Sequence, residues 1–587
     1  MMNKDRFGAK ARLLSSALTL AALAWALPAH AADPVTQDRL LHADQEAGNW
    51  ILHHKDFSAH RFSSLDQINA GNVGNLKVAW TLQLGGIEGG GIWSHGGLEG
   101  TPLAENGFLY VTDGWGSVYK IDTHGGTGKL VWKMDPKTDH DWAGAIACCG
   151  VDNRGVALWG NFVISHSLDG RLIATNKDTG QVAWQRQVAN PDKGEVITGA
   201  PLVVNGMAIT GVAGAEYGIR GWVAATDLST QKELWRTYTI PAKGEPGSNT
   251  WKDNHAAQTS GGGSTWVSGS YDPATNTIFW GVGNPGPDWD NTYRPGDNLY
   301  TDSTLALDAS TGKIKWYFQH TPNDAYDYDS VAENVLVDVG NQKLDLEADR
   351  NGFAYAVNRE TGKFVWGLPF VKKVTWTKGL NPETGKPLEY DPNLAVQKYN
   401  AAVTPGPENK VTMICPGNMG GKNWPPTAYN PNLKYWYIPV IESCNRITFD
   451  QTKAPAKPRE FFTGGGPSQP FRITGSVTAI DVTTGKEAGK FETPFPLLGG
   501  MLATPDLVFA GLPSGEVFAL DAKTLQKKWE FSTGGGVSAP PMTFTVDGKQ
   551  YVAVLVGLGG AWDKWFIDGT PELKKIAPSS TLYVFSL

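Results

Sequence analysis

Short stretches in which apolar and polar residues alternate recur along this chain, and most of them run into the same punctuation. The alternation ends in Asp or Asn, a turn that usually contains Thr-Gly follows, and a Trp stands eight residues after the acid or amide. ALDASTGKIKW places Asp308 and Trp316 in this way, AVNRETGKFVW Asn358 and Trp366, and ATNKDTGQVAW Asn176 and Trp184. AATDLSTQKELW adds Asp227 and Trp235, and ALDAKTLQKKW adds Asp521 and Trp529. KIDTHGGTGKLVW carries two extra residues between Asp122 and Trp132, and AIDVTTGKEAG, with Asp481, has Gly489 where the others have Trp. Period-two alternation broken by a Thr/Gly turn reads as a β-hairpin. One hairpin cannot bury its apolar face alone, so repeated hairpins stack radially, and a Trp at a fixed place can clamp neighbours. Seven copies and a further strand around Lys77-Val78-Ala79-Trp80 predict an all-β, eight-bladed β-propeller with tryptophan docking motifs. The C-terminal STLYVFSL would pair with that first strand and close the ring. Copies are mostly about fifty residues apart, with wider gaps before Asp308 and Asp481 where long loops are expected.

The N-terminus follows a different pattern. Lys4, Arg6, Lys10 and Arg12 precede an apolar run from Leu13 to Leu27 and then Ala29-His30-Ala31, which reads as a secretory signal peptide cut before Ala32. That run is short for a membrane span, which needs about 20 apolar residues, and no later run is longer. The expected organisation is therefore a signal peptide over 1–31 and a single domain over 32–587, exported, not membrane-spanning and, in a bacterium, periplasmic. Cleavage removes four cations and one anion from a net charge of −7, leaving the remainder near −10. No basic stripe is present, which argues against nucleic acid, and an acidic surface suits a positively charged soluble partner.

Candidate chemistry sits in two places. Of the four cysteines, Cys415 and Cys444 suit an ordinary structural bridge. Cys148 and Cys149 are adjacent, and pairing them would close a strained small ring; two unpaired buried thiols, or separate partners, are the alternatives. The segment NDAYDYDS crowds Asp324, Asp327 and Asp329 together. If it is extended, Asp327 and Asp329 share one face while Tyr326 and Tyr328 take the other. Like charges side by side are costly unless a cation or a shared proton lies between them. The bland alternative is a solvated acidic loop, and Asp324 reads as a surface charge or turn residue.

Several further motifs occur in order: Ala147-Cys148-Cys149-Gly150 with Asn153-Arg154-Gly155, Gly214-Ala215-Glu216, Gly283-Asn284-Pro285 and RPGDN at 294–298. Together with the Trp repeats, these resemble the quinoprotein methanol/ethanol dehydrogenases, enzymes that use pyrroloquinoline quinone (PQQ), from about Asp44 to the C-terminus. The resemblance implies PQQ near the propeller axis, covered on one face by a Cys148–Cys149 ring and floored on the other by Trp266. Arg154 would pair a PQQ carboxylate in fork geometry. Glu99, Thr198, Gly214, Ala215, Ser264, Asn423 and Arg350 would supply further cofactor contacts. Ala213, often Ser in the family, and Leu498, at the place of another family Trp, depart from the pattern in the pocket wall.

The resemblance also implies a metal held by Glu216, Asn284 and Asp327, all oxygen donors as a hard cation requires. A carboxylate at Asp329 matches the lanthanide-dependent branch, because three carboxylates suit a trivalent ion better than Ca²⁺, which is the alternative. NDAYDYDS then reads as a metal-binding strand end. The implied chemistry is oxidation of a primary alcohol to an aldehyde by hydride transfer to PQQ, with the cation as Lewis acid. Asp327 would act as base and Arg350 would stabilise charge on oxygen. With no C-x-x-C-H haem motif in the chain, a separate soluble cytochrome c is the expected electron acceptor. Two rivals stand beside this: the same chemistry on sugars, polyols or oligosaccharides, and a non-catalytic propeller scaffold. A homodimer, an accessory subunit and the preferred alcohol are left open.

Overall fold

The computed structural model describes residues 34–587 apart from 253–256 and the side chain at 563, so the expected signal peptide lies outside the described residues. Among them, eight four-stranded antiparallel sheets follow one another along the chain. Six are built from four consecutive strands, the first running from Leu103–Glu105 to Lys129–Met134, and a seventh, made of Ala428–Asn430, Tyr435–Glu442, Thr474–Asp481 and Lys486–Thr493, is interrupted after its second strand. The eighth is shared between the two ends. Lys77–Gln83 pairs antiparallel with Thr581–Ser586, Trp80 opposite Val584, beside Lys549–Val556 and Met542–Val546. Pairing the first strand with the last ties the ends of the array together, the usual way in which a β-propeller protects its edges.

The repeated turn has a simple cause. The side-chain oxygen of Asp308 accepts the Thr311 N–H at 3.0 Å, and Asn358, Asn176, Asp227 and Asp521 do the same for Thr361, Thr179, Thr230 and Thr524. Only the Oδ is used, so Asp and Asn serve equally. A bulge follows the residue facing each Trp, as between Ala306 and Leu307 beside the Ala306–Trp316 pair, and increases the local twist.

The Trp side chains join neighbouring sheets. Trp132 donates its indole N–H to the Lys177 carbonyl of the next sheet at 2.9 Å; Trp235, Trp316 and Trp529 reach Ala309, Arg359 and Leu76 in the same way. The turn glycine of the following repeat lies flat on the indole. A Cβ built on Gly180 would fall 2.6 Å from the Trp132 ring, and Gly312 and Gly362 stand equally close to Trp235 and Trp316. Where Gly489 replaces the Trp, the next repeat has Leu525 in place of its turn glycine, at φ +56°, and Leu525 Cδ1 lies 3.5 Å from where a Gly489 Cβ would be. Bulk is exchanged across that one junction.

The wide gap before Asp481 is more ordered than a loop. It holds a three-stranded sheet made of Val411–Ile414, Asn445–Phe449 and Gly465–Ser468, braced by the Cys415–Cys444 disulfide. Among the described residues no helix is long and apolar enough to cross a membrane.

Candidate active site

The segment leading into the first strand of every sheet contributes a residue to one cavity of about 400 Å³. In chain order these are Glu99, Arg154, Thr198, Ser264 with Trp266, Asp327 with Asp329, Asn423, Leu498 and Ser538. Loops between strands add Gly214 and Glu216, which follow Met207–Gly211, and Arg350, which sits between Gln342–Ala348 and Phe353–Asn358. Cys148 and Cys149 follow a short helix, His140–Ile146, whose first turn is capped by Asp139 accepting the Trp142 N–H at 2.8 Å. They are bonded to each other, which removes the alternatives of free thiols or separate partners. Their sulfurs and a Glu216 carboxylate oxygen lie within 4.8 Å of one another. Of the residues named from sequence, only Ala215 and Asn284 fall outside the cavity lining. Ala215 is in the turn with Glu216, and Asn284 is buried just behind the wall. Ala213 and Leu498 both stand in the wall.

Short backbone hydrogen bonds strap these segments together. Arg154 N–H donates to the Thr198 carbonyl at 3.0 Å, Gly263 to Asn284 at 2.9 Å and Gly283 to Ser264 at 2.7 Å. The cavity wall is therefore built of main chain held in several places, which limits its rearrangement.

NDAYDYDS is not a strand end. Asp327 takes the left-handed backbone conformation at φ +62°, which a non-glycine residue adopts at a cost of roughly 1–2 kcal/mol. Asp324 makes the bend possible: its carboxylate accepts the N–H groups of Tyr326, Asp327 and Tyr328 at 3.2, 2.9 and 3.2 Å. Asp324 is fully buried, so the expectation of a surface charge is wrong and the turn role is the one observed. Burial pushes its carboxyl up to about 6 despite the Arg294 guanidinium nearby. Tyr326 and Tyr328 pack away from the cavity, 5.3 Å apart and against Trp376, and their hydroxyls are bonded to Thr404 and the Pro416 carbonyl. Such aromatic pairs add about 0.5–1.5 kcal/mol beyond the area they bury. With both Tyr anchored on one side, Asp327 and Asp329 line the cavity on the other.

Arg350 holds the two acids as a fork. Its Nη1 lies 2.9 Å from the Asp327 carbonyl and 3.1 Å from Asp327 Oδ1, and its Nη2 lies 3.3 Å from Asp329 Oδ2. Asp329 also accepts from Trp266 Nε1 at 3.2 Å and from the Asn284 N–H at 2.8 Å. Burial, with Asp329 and Glu216 close by, raises the Asp327 carboxyl well above the usual range, although Arg350 opposes this. Burial and the Asp329 charge push Glu216 up to about 7. These groups are crowded enough to hold protons, or to welcome a cation in their place.

Two orphaned polar groups test what the site can hold. Asn284 Oδ1 is buried and has no donor among the described residues, so a cation among Asn284, Glu216, Asp327 and Asp329 would satisfy it with an all-oxygen ligand set. Arg154 pairs Glu99 at 2.6 Å through Nη2 and lies over the rings of Trp266 and Trp424 at 4.7 and 5.0 Å. Its Nε and Nη1 are buried without acceptors, the donors that a planar cofactor's carboxylate requires. The residues present thus fit both a hard cation and a flat polycarboxylate.

Sequence reasoning missed Asp152 and Asp288. Both are buried and line the cavity, and both carboxyls are raised well above the ordinary range by burial, with Glu99 acting on Asp152 and Asp327 on Asp288. Asp152 stands directly before Asn153 and Asp288 three residues after Pro285, but an acid in a Gly/Pro-rich loop looks the same whether it points to water or inward.

Residues 50–374 match the family profile described as PQQ: Glucose/ethanol/alcohol dehydrogenase, beta-propeller domain. The chain is 37% identical to the quinoprotein alcohol dehydrogenase PedH of Pseudomonas putida, the alignment covering 98% of this chain and 97% of that protein. It is 34% identical to a quinoprotein ethanol dehydrogenase of Pseudomonas putida, over 98% of this chain and 96% of the relative. Among solved structures, a europium-containing methanol dehydrogenase superposes with a TM-score of 0.83 at 31% identity, covering 94% of this chain and 100% of that one.

Proposed function

The chain belongs to the PQQ-dependent quinoprotein alcohol dehydrogenases, and from that premise we propose that it oxidises primary alcohols to aldehydes in the periplasm, with a lanthanide ion beside the cofactor and a soluble cytochrome c as electron acceptor. The eight four-stranded sheets are read as eight blades around the site, docked through their Trp residues. The signal-peptide pattern and the acidic net charge support export and a cationic redox partner.

Glu216, Asn284, Asp327 and Asp329 would hold the cation. Trp266, the Cys148–Cys149 disulfide, Arg154, Glu99, Thr198, Ser264, Asn423 and the Gly214–Ala215 backbone would hold PQQ. When bound, the cofactor would supply a hydride acceptor for the alcohol carbon, and the cation would supply Lewis acidity to that acceptor. Asp327 takes the hydroxyl proton on its carboxylate, which is oriented by the Arg350 fork and by the backbone bend that Asp324 imposes. Coordination lowers the basicity of Asp327, and the second carboxylate at Asp329 offsets part of that loss. Arg350 donates toward oxygen where charge develops.

The observation that carries the reading is the buried Asn284 Oδ1, without a hydrogen-bond partner among the described residues, in a site where Glu216, Asp327 and Asp329 line one cavity and Arg350 contacts Asp327 and Asp329. A trivalent ion suits that balance better than a divalent one, and the europium-containing neighbour supports the choice. The apolar part of the wall, with Trp289, Phe461, Leu498, Trp562, Trp565 and Phe566, favours an alcohol with an apolar body over a sugar. The test is reconstitution with PQQ and either La³⁺ or Ca²⁺, then dye reduction with a panel of primary alcohols, polyols and sugars. Activity with Ca²⁺ equal to or above that with La³⁺ would overturn the metal assignment, and turnover that survives Asp327→Asn would overturn the base.

A further inference from the structure

We propose that Asp288 is a positioning residue for the cation site: its carboxylate orients the Asn284 side-chain amide so that the carbonyl oxygen, and not the NH₂ group, faces the cation. This rests on the cation reading above.

The backbone of Asn284 is clamped from both sides. Its N–H donates to Asp329 Oδ1 at 2.8 Å and its carbonyl accepts from the Gly263 N–H at 2.9 Å, so only the side-chain torsions are free. The two ends of an amide are nearly equal in size, and packing alone does not choose between them. The choice is electrostatic. Asn284 Nδ2 lies 3.0 Å from Asp288 Oδ1 and 3.4 Å from the Pro285 carbonyl, and both of these are acceptors. Asp288 Oδ1, at the shorter distance, and the Pro285 carbonyl both receive the NH₂ end, which fixes the orientation of the amide. A flipped amide would set its oxygen against the carboxylate and turn two N–H donors toward the carboxylate pocket. With Nδ2 committed to Asp288, Oδ1 is the end left over, buried and without a hydrogen-bond partner among the described residues.

Asp288 is 1% exposed and belongs to a loop that is fixed independently of its side chain. The wholly buried Arg294 donates through Nη2 to the Asp288 carbonyl at 3.1 Å and through Nε to the Pro287 carbonyl at 3.1 Å. Substitutions at Asp288 should therefore leave the loop in place. Its carboxylate is an outer-layer partner that holds a ligand in its coordinating orientation, and removing such partners commonly weakens metal affinity about 10- to 100-fold.

The experiment uses the PQQ-loaded full chain and Eu³⁺ as the probe, reading affinity from luminescence titration and coordinated waters from lifetimes in H₂O and D₂O. Asp288→Ala should bind Eu³⁺ about 10- to 100-fold more weakly and gain about one coordinated water, as the amide oxygen is replaced. Asp288→Asn, whose own carbonyl still accepts from Asn284 Nδ2, should stay within about threefold of the unsubstituted chain with the same water count. On an Asn284→Ala background, Asp288→Ala should weaken binding no further. Should Asp288→Ala fail to fold, Asp288→Ser, too short to reach the amide, takes its place. An unchanged water count in the Ala or Ser variant overturns the proposal. So does an Asp288→Asn loss as large as that of Ala, since charge rather than orientation would then be responsible. If the unsubstituted chain binds no Eu³⁺, the cation reading itself fails, a different result from either of these.

Discussion

Replacing Arg350 with Lys keeps the charge and removes the fork. The guanidinium reaches Asp327 with one nitrogen and Asp329 with the other, at 3.1 and 3.3 Å, whereas an ammonium is a point charge that can serve one of them at a time. Hydrogen bonds to charged groups contribute about 1.5–3 kcal/mol each. Losing one predicts a fall in kcat of roughly 10- to 150-fold. KM should change little, because the lost contact is one that steadies the proton acceptor and the developing charge. Arg350→Met loses both contacts and leaves two carboxylates uncompensated among 4% and 12% exposed side chains. Stripping one partner from a buried pair typically costs about 3–5 kcal/mol of stability. A bound trivalent ion restores the missing positive charge, so that cost should shrink when Eu³⁺ is present. The assay is steady-state kinetics of the PQQ- and Eu³⁺-loaded variants, with cofactor retention followed by absorbance, and thermal melts with and without Eu³⁺. A Lys variant within threefold of the unsubstituted kcat would refute the reasoning, as would a Met variant whose melting deficit is as large with Eu³⁺ as without.

Asp329→Ala removes a carboxylate and also strands the Asn284 N–H and the Trp266 indole N–H; lanthanide-supported activity should collapse while a little Ca²⁺-supported activity survives. Full activity with La³⁺ in that variant would contradict the assignment of Asp329. In protein stripped of metal, Glu216 keeps its proton up to about pH 7 in the fold but only to about 4.5 when unfolded. Between those values the unfolded chain binds fewer protons, so the stability present below pH 4.5 is lost as pH rises toward 7, by up to about 3 kcal/mol from this group. Urea titrations should show that decline flattened by Glu216→Gln; stability that rises across this window would contradict the burial argument. Gly180→Ala and Gly125→Ala both force a side chain into a left-handed backbone, at φ +71° and +72°, but only at Gly180 does the new Cβ meet an indole, at 2.6 Å. Gly180→Ala should therefore lower the melting temperature clearly more than Gly125→Ala, and equal shifts would show that the Trp132 contact carries no stability.

The repeat was legible because each of its elements is local. Asp308 or Asn358 binds an N–H three residues away, the turn glycine supplies a positive φ, and alternation sets the faces, so all three leave marks at fixed spacing. The contact between sheets left a mark as well, in the reciprocal pair Gly489 and Leu525, but its meaning needs the two repeats side by side. Most of the site residues named through motif resemblance line one cavity, brought there by the segments entering each sheet and by loops between strands, while much of its apolar wall carried no such mark. Asp324 was misjudged because burial is not a property of a short acidic string. What goes with its burial is the Arg294 guanidinium, which donates to the Asp324 carbonyl, and the demand of three backbone N–H groups for an acceptor. Asp152 and Asp288 were missed for the same reason.

The order of strands, turns and Trp residues, and the presence of enough oxygen donors for a hard cation, are properties of the chain as a string, since they depend on neighbours a few residues apart. Which acids face one another, which end of the Asn284 amide is turned inward and which Arg donors are left open depend on groups dozens to hundreds of residues apart. Those were decided only when the eight sheets assembled, because solvation and Coulomb energy depend on distance through space rather than along the chain.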